Sequence, residues 1–417
     1  MKSIVGLDIG TSKVVALVAE IDNYGDTHIV GIGEAKSQGI DKGSVTKLDS
    51  ASKAIQKALK EAEEMSGHRI DGVFISISGV NIKSQNERDT ISISPQPSDV
   101  DEQIVDRLLE RAVAKAKEES YDILHIIPRN FILDDQEGIL DPIGLAGSRL
   151  ECDVHIIKAG VSLLRNVERT VSVAGYKLFG RVFAGLASAE SSLTEEEKLE
   201  GVLLIDIGHS VTNFVLYNNG QPAVSGTVPI GGYNITRDLA HFMKISTEEA
   251  ERIKLESGVA FIELVDEIEK VKIKPRGEDK EAMVPRKQLA EVIQIRLEEL
   301  MDKIVEKINS SNVKLENINA GAVITGGTAK LNGIKDFAEH YLDMAVRIGY
   351  PLNITGLKEK LQDPSYACVC GIINIAQNMK DISYTAPQRP IQRQIPSRNT
   401  SLLQKIMNFF KDLKDLI

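Results

Sequence analysis

Two stretches of this 417-residue chain repeat one arrangement of aspartate, glycine and hydroxyl side chains: LDIGTSKVVALV at Leu7–Val18 and IDIGHSVTNFVL at Ile205–Leu216. In each, Asp-Ile-Gly closes one apolar run and a serine precedes a second, β-branched one, which predicts a hairpin with the glycine at its tip. Gly10 and Gly208 have no Cβ, so another group can come close to the backbone N–H donors there. Thr11, Ser12 and Ser210 add hydroxyl donors, and Lys13 adds positive charge. Those are the donors a phosphate chain needs. Asp8 and Asp206, facing each other, would hold the waters around Mg2+, a hard cation that prefers oxygen. The plain alternative is a pair of tight turns with solvated aspartates. A third segment, ITGGTAKLNGI, ends a short apolar strand at Ala322–Thr325 in Gly326-Gly327 ahead of a helix. Bare backbone at such a helix start lets a ribose or a flat ring pack against it.

The elements that must position these groups are readable in outline. Strands are expected at Ile4–Asp8, Val14–Ile21, Gly72–Ile77, Ile123–Ile127, Val154–Lys158 and Gly201–Asp206. Helical periodicity marks Leu48–Met65, Glu102–Glu119, Leu163–Ala174, Glu248–Glu256, Arg286–Ile308 and Asn332–Tyr341. The Glu102–Glu119 helix is so charged that it reads as a solvated face, and DDQEGILDPIGLAGSR after Leu133 reads as irregular. Two similar halves, each opening on an aspartate at a hairpin tip, imply a pseudo-symmetric two-lobed α/β protein with a cleft between the tips.

Composition narrows the function classes. Aromatics make up 5% of residues with no Trp, so the cores rest on aliphatic side chains. A net charge of −10 argues against general binding of nucleic acid. Three cysteines (152, 368 and 370) build no disulfide framework and point to a reducing compartment, and Cys368 and Cys370 read as buried free thiols. No His pair has metal-ligand spacing. MKSIVGLDIG runs directly into a strand, so no signal peptide is expected, and no apolar stretch is long enough to span a membrane.

The last segment is of another kind. From Asp381 to Asn399 the chain is rich in Pro, Gln, Arg and Ser, the composition of a linker. Beyond it, Leu402, Leu403, Ile406, Phe409, Phe410 and Leu413 fall at i, i+1, i+4, i+7, i+8 and i+11, one face of a helix over 400–417. Its opposite face carries Lys405, Lys411, Asp412, Lys414 and Asp415, which forbids spanning but suits a helix lying in the plane of an anionic bilayer. A helix packed on its own domain is the competing reading.

Taken in order, the two hairpins and the Gly-Gly turn resemble the ATP site of the actin, heat-shock-70 and sugar-kinase superfamily. The intervening segments are more specific. GIDKGSV at Gly39–Val45, PRNFILDDQEGILDPIGLAGSRLECDVHII at Pro128–Ile157, FAGLASAESSLTEEE at Phe183–Glu197 and RIGYPLNITGL at Arg347–Leu357 resemble the bacterial FtsA cell-division family. That resemblance implies an actin-like ATPase fold of four subdomains, one replaced by an FtsA-type subdomain. The expected division is 1–83 with 161–197 and about 358–380, then 84–160, 198–240 with 309–357, and 241–308. It implies ATP and Mg2+ as ligands, with Gly231, Gly232, Glu251 and Lys254 near the γ-phosphate and adenosine and Lys330 over the adenine. Arg296 and Glu299 fall where the family receives the C-terminal peptide of FtsZ. Filaments of the protein itself, anionic lipid of the cytoplasmic face of the inner membrane and later division proteins are the other implied partners. The second loop departs from the family's glycine-rich form: His209 and Ser210 narrow the room, with Ser210 expected to compensate as a donor. Gly185 stands where some relatives carry a catalytic glutamate, so fast hydrolysis is not expected. A sugar kinase and a pilus-assembly scaffold of the same superfamily are the rival readings.

Overall fold

In the computed structural model, which describes residues 2–379 other than 23–26, 278–279, 312, 314, 316 and 317, both Asp-Ile-Gly segments close antiparallel hairpins. Lys2–Ile9 pairs with Lys13–Ile21 and sets Asp8 opposite Val15; Val202–Ile207 pairs with Thr212–Asn218 and sets Asp206 opposite Asn213. Each hairpin continues into a five-stranded sheet of the same topology. In the first lobe the third strand, Thr27–Lys36, lies outside the hairpin, while Gly72–Ile77 and then Lys177–Phe183 add in parallel on the other side. In the second lobe Gln221–Val228 takes the outer place and Ala322–Thr325 and Val346–Ile348 add in parallel. The strands beside each hairpin's first strand need no polar face: GVFISI at Gly72–Ile77 is buried along its whole length, as is AVIT at Ala322–Thr325. Helices cover both faces, which is why such strands read as continuous apolar runs.

Two helices form the layer between the lobes. Ala184–Ser192 leaves the first-lobe sheet at Phe183 and packs on the strands of the second. Ala367–Met379 follows a short turn at Pro364–Tyr366 and packs on the first-lobe sheet, through Val369, Ile372, Ile373 and Ala376. The helices meet backbone to backbone. A Cβ on Gly371 would stand 1.7 Å from the carbonyl oxygen of Ala187.

A separate four-stranded sheet, ordered Gln136–Ile139, Tyr121–Leu133, Arg149–Gly160, Ile82–Ser92, is inserted into the first lobe. The helix on it runs over Glu102–Lys115 and is capped by Asp101, whose carboxylate accepts from Ile104 N at 2.8 Å. The solvated-face expectation fails for half of that helix. Ile104, Val105, Leu108, Leu109 and Ala112 are buried against the sheet, and the helix stops before Glu118, whose carboxylate instead receives the buried ammonium of Lys158. The stretch read as irregular holds two short strands, Gln136–Ile139 and Ala146–Gly147. Ile82–Ser92 has no apolar alternation to announce it, and two of its polar residues face the second lobe: Ser84 Oγ donates to Ser225 O at 2.7 Å and Asn86 Nδ2 to Ala223 O at 2.9 Å. The linker and terminal helix expected over 381–399 and 400–417, with Leu402, Leu403, Ile406, Phe409, Phe410 and Leu413, lie outside the described residues.

Candidate functional site

The two hairpin tips open into one cavity of about 540 Å³ between the lobes. Asp8, Gly10, Thr11, Ser12 and Lys13 line it from the first lobe; Asp206, Gly208, His209, Gly232, Glu251, Lys254, Gly326, Gly327 and Lys330 line it from the second. Ser210 and Gly231 do not line it. Ser210 is buried, and its hydroxyl has no hydrogen-bond partner. Gly231 sits behind the second loop, giving its N–H to Asn234 Oδ1 at 3.1 Å. Beside it, Gly232 N and Tyr233 N bond the carbonyls of Gly208 and His209 at 3.0 and 2.7 Å, so this turn braces the loop from behind.

Asp8 and Asp206 are each held by neighbouring side chains. Asp8 Oδ1 accepts from Ser76 Oγ at 2.7 Å and lies 3.5 Å from Cys368 Sγ. Asp206 Oδ2 accepts from Ser188 Oγ at 2.9 Å. Asn213 also bonds Asp206, and its amide orientation is fixed because its Oδ1 accepts from Ser78 and Thr227, both at 2.9 Å. Burial pushes the Asp8 carboxyl up against the lowering pull of Ser76 and Cys368. Burial likewise raises Asp206, to about 6, where Ser188 lowers it and the nearby Asp8 charge raises it. Two carboxylates that repel each other in a shared cleft favour an added cation. Among the described residues no group of three or more His, Cys, Asp or Glu side chains could take a metal by themselves. The donor set therefore fits Mg2+ whose waters the two carboxylates would hold and whose remaining ligands would be phosphate oxygens, not an all-protein cage.

The glycines fit a nucleotide as well. Gly326, at φ +87°, lies so close to the aspartate that a Cβ would stand 2.4 Å from Asp206 Oδ1. Gly327 has open space where a Cβ would be, so cavity volume lies directly over its backbone. The cations differ in how far they are committed. Lys254 is buried and gives its three hydrogens to Glu251 at 2.7 Å, Thr236 Oγ1 at 2.9 Å and Gly232 O at 3.1 Å, tying the helix Thr247–Ser257 to Gly232–Phe242. Lys330 pairs with Asp363 at 2.9 Å. Lys13 lies over the Tyr366 ring at 3.9 Å with Glu34 also 3.9 Å away, and burial lowers its affinity for the proton. His209 stacks on Tyr233 at 4.9 Å, and burial lowers it too.

Sequence reasoning missed several lining residues: Gly43, Ser78, Asn213, Arg286, Asn332 and Cys368. Asn213 follows the second tip and pairs with Asp206 in the hairpin, a signal available once the register was drawn. The others come from distant segments with no local pattern. Arg296 and Glu299 are not in the cavity. They lie on the helix Arg286–Asn309, where Arg296 binds both Asp238 oxygens at 2.5 and 3.0 Å and also bonds Glu299.

Paired sheets of one topology, two helices between them and a cleft at the hairpin tips make this an actin-like ATPase fold. Solved structures agree at the level of fold. The chain aligns with one from the PilM–PilN type IV pilus biogenesis complex at 16% identity over 88% of this chain and 97% of that one, TM-score 0.62. It aligns with MreB5 of Spiroplasma citri bound to ADP at 14% identity over 91% and 98%, TM-score 0.54. By sequence the chain belongs to the cell division protein FtsA family. It is 36% identical over 372 residues to cell division protein FtsA of Pseudomonas aeruginosa, covering 89% of this chain and 88% of that one. It is 33% identical over 416 residues to that of Escherichia coli K12, covering 98% of both. The model of cell division protein FtsA matches residues 203–371, and that of the SHS2 domain inserted in FtsA matches 79–158. Membership sets aside the sugar-kinase and pilus-scaffold readings, and the likeness to the pilus complex is one of fold alone.

Proposed function

We propose that the cleft binds ATP with Mg2+ and that the protein is a nucleotide-dependent scaffold of cell division. It polymerises and tethers FtsZ to the cytoplasmic face of the inner membrane. The observation that carries the nucleotide part is the meeting of two duplicated hairpin tips, with Asp206 buried and Asp8 half-buried, in one cavity rimmed by Gly326 and Gly327. In this reading Asp8 and Asp206 hold the cation through water, while Gly10, Thr11, Ser12, Lys13, Gly208 and His209 face the phosphates. Ser210 and Gly231 support the second loop from behind. Glu251, Lys254 and Lys330 border the nucleoside. The bound Mg2+ supplies positive charge against the phosphates. The cavity's carboxylates are Asp8, Asp206, Glu251 and Glu256, and Glu251 is already paired with Lys254. No unengaged base is thus proposed, and hydrolysis is at most slow.

The four-subdomain division given above, with 84–160 as the inserted unit, is part of the same proposal. Arg296 and Glu299 lie on an accessible helix face and receive the FtsZ C-terminal peptide. The membrane role rests on the amphipathic spacing of Leu402, Leu403, Ile406, Phe409, Phe410 and Leu413, together with six basic residues against two aspartates from Ala386 onward. No helix among the described residues is long and apolar enough to cross a membrane, so attachment would fall to that tail. A single such helix binds reversibly; a filament multiplies it. Assembly then offers later division proteins a surface.

The test is co-sedimentation with anionic liposomes and ATP, comparing the full chain with one truncated after Asn399, each with and without FtsZ. The full chain should pellet with lipid and bring FtsZ down, while the truncated chain stays in solution. If both forms ignore lipid and FtsZ, the tether is wrong.

A further inference from the structure

Each aspartate of the cleft is held by a residue of one of the two helices that lie between the lobes. Ser188, on Ala184–Ser192, donates to Asp206 Oδ2 at 2.9 Å; Cys368, in the first turn of Ala367–Met379, lies 3.5 Å from Asp8 Oδ1. Both side chains are buried, Ser188 fully and Cys368 at the wall of the cavity. The helices touch at Ala187 and Gly371 without room for a Cβ. Ser188 is the next residue after one contact point, and Cys368 lies one helical turn before the other. Ser76 and Cys368 thus hold Asp8 at Oδ1, and Ser188 holds Asp206 at Oδ2. A Cβ on Gly326 would stand 2.4 Å from Asp206 Oδ1, and one on Gly10 would stand 4.0 Å from Asp8 Oδ2.

We infer that Ser188 and Cys368 are positioning residues that aim Asp206 and Asp8 at the cation accompanying the nucleotide, and that the crossing of the two helices sets both aspartates in one frame. The inference rests on the nucleotide reading above. Ser76 assists Asp8 from its own sheet, at 2.7 Å, and Asn213 assists Asp206 from its own and meets Ser78 of the first lobe at 2.9 Å; the two helix residues add a link between the aspartates through the helix crossing. The hydroxyl is the stronger donor and the thiol the weaker, so the two should not count equally.

The full chain is titrated with methylanthraniloyl-labelled ATP, once in Mg2+ and once in EDTA, and the ratio of the two affinities is read. A residue that merely shapes the cleft moves both affinities together; a residue that aims a cation ligand moves the ratio. Ser188→Ala should cut the ratio about tenfold, as expected for a hydrogen bond to a charged acceptor, and Cys368→Ala about threefold. Affinity in EDTA should stay within about twofold, well under the effect of a bond to a charged group. Ser188→Cys and Cys368→Ser, which restore a donor, should recover most of the ratio. An unchanged ratio in both alanine variants overturns the inference, as does an equal loss in both conditions. A wild type that binds equally well with and without Mg2+ also overturns it while leaving the nucleotide reading intact. A wild type that binds no labelled ATP in either condition overturns the nucleotide reading itself. If Ser188→Ala does not fold, the Cys368→Ala and Cys368→Ser pair decides alone.

Discussion

Acidification from pH 7 to pH 5 should loosen the seam between the inserted sheet and the second lobe, and His155 sets the size of the effect. Its side chain is fully buried, with Nδ1 2.7 Å from Asn86 Oδ1 and Nε2 2.5 Å from Ser225 Oγ. Because Asn86 Nδ2 already donates to Ala223 O, its oxygen must face the ring. The proton of the neutral imidazole therefore sits on Nδ1, and Nε2 accepts from the serine. Burial, with Arg129 and then His125 adding repulsion, lowers this histidine from 6.5 to about 3. The folded form thus refuses a proton that the unfolded chain takes up below 6.5, so the stability present above that pH is lost as pH falls. Over pH 7 to 5 the loss is about 2 kcal/mol. Asp206 acts the other way. Its folded carboxyl is raised to about 6, so acidification over the same range returns roughly 1 kcal/mol. His125, which burial lowers to about 4, adds a loss of similar size to that of His155; raw pH dependence mixes all three, and comparison with a variant lacking only the His155 imidazole isolates its share. Urea unfolding of the full chain and of His155→Gln at both pH values should show the wild type losing about 2 kcal/mol more than the variant. Hydrogen exchange should place the difference in Gln221–Val228. Equal losses would refute the assignment of a neutral buried imidazole.

Three further outcomes follow from particular contacts. Gly326→Ala forces a Cβ to within 2.4 Å of Asp206 Oδ1 at a backbone φ of +87°; it should weaken labelled-ATP binding by at least about tenfold and cost roughly 1–3 kcal/mol in thermal unfolding. Gly371→Ala drives a Cβ into the Ala187 carbonyl and should cost about 1–3 kcal/mol or more, read as a lower melting temperature that bound nucleotide only partly restores. Arg296→Ala breaks a half-exposed pair with Asp238, worth only about 0–1 kcal/mol. Its melting temperature should barely move, while fluorescence anisotropy with an FtsZ C-terminal peptide should show about a tenfold weaker complex, the scale of losing a bond to a charged group. Undiminished peptide binding would remove Arg296 from that surface.

What could be read from the sequence and what could not divide by the range of the interaction. The hairpins were legible because Asp-Ile-Gly, the serine and the following β-branched run are neighbours in the chain, and the duplication at Asp8 and Asp206 gave each copy support from the other. Leu48–Ser66 and Gly72–Ile77 were legible for the same reason, since periodicity and burial coincide there. Glu251 and Lys254, expected near the γ-phosphate and adenosine, both line the cavity, but their spacing does not reveal that Lys254 also reaches Gly232 O and Thr236 across to another helix. Ser210 was expected to face the phosphates, yet the turn buries it outside the cavity lining.

The residues that hold the two aspartates were invisible for a physical reason. In a packed helix, Ser188 and Cys368 look like small core residues; nothing within four positions tells a donor to a buried carboxylate from a side chain that merely fits. Their role appears only when two helices far apart in sequence cross at Ala187 and Gly371, and that crossing depends on a glycine no local pattern singles out. The seam at Ile82–Ser92 hid in the opposite way. Its polar run looks like loop because its partners, Ala223 and Ser225, belong to a strand of the other lobe. Residues that carry charge or turn the chain announce themselves locally, whereas residues that aim those charges are defined by tertiary contact. It follows that substitutions at Ser188 and Asn213, neither of which bears a charge, should disturb the cleft more than substitution of the exposed Lys330, whose pairing with Asp363 is largely solvent-screened.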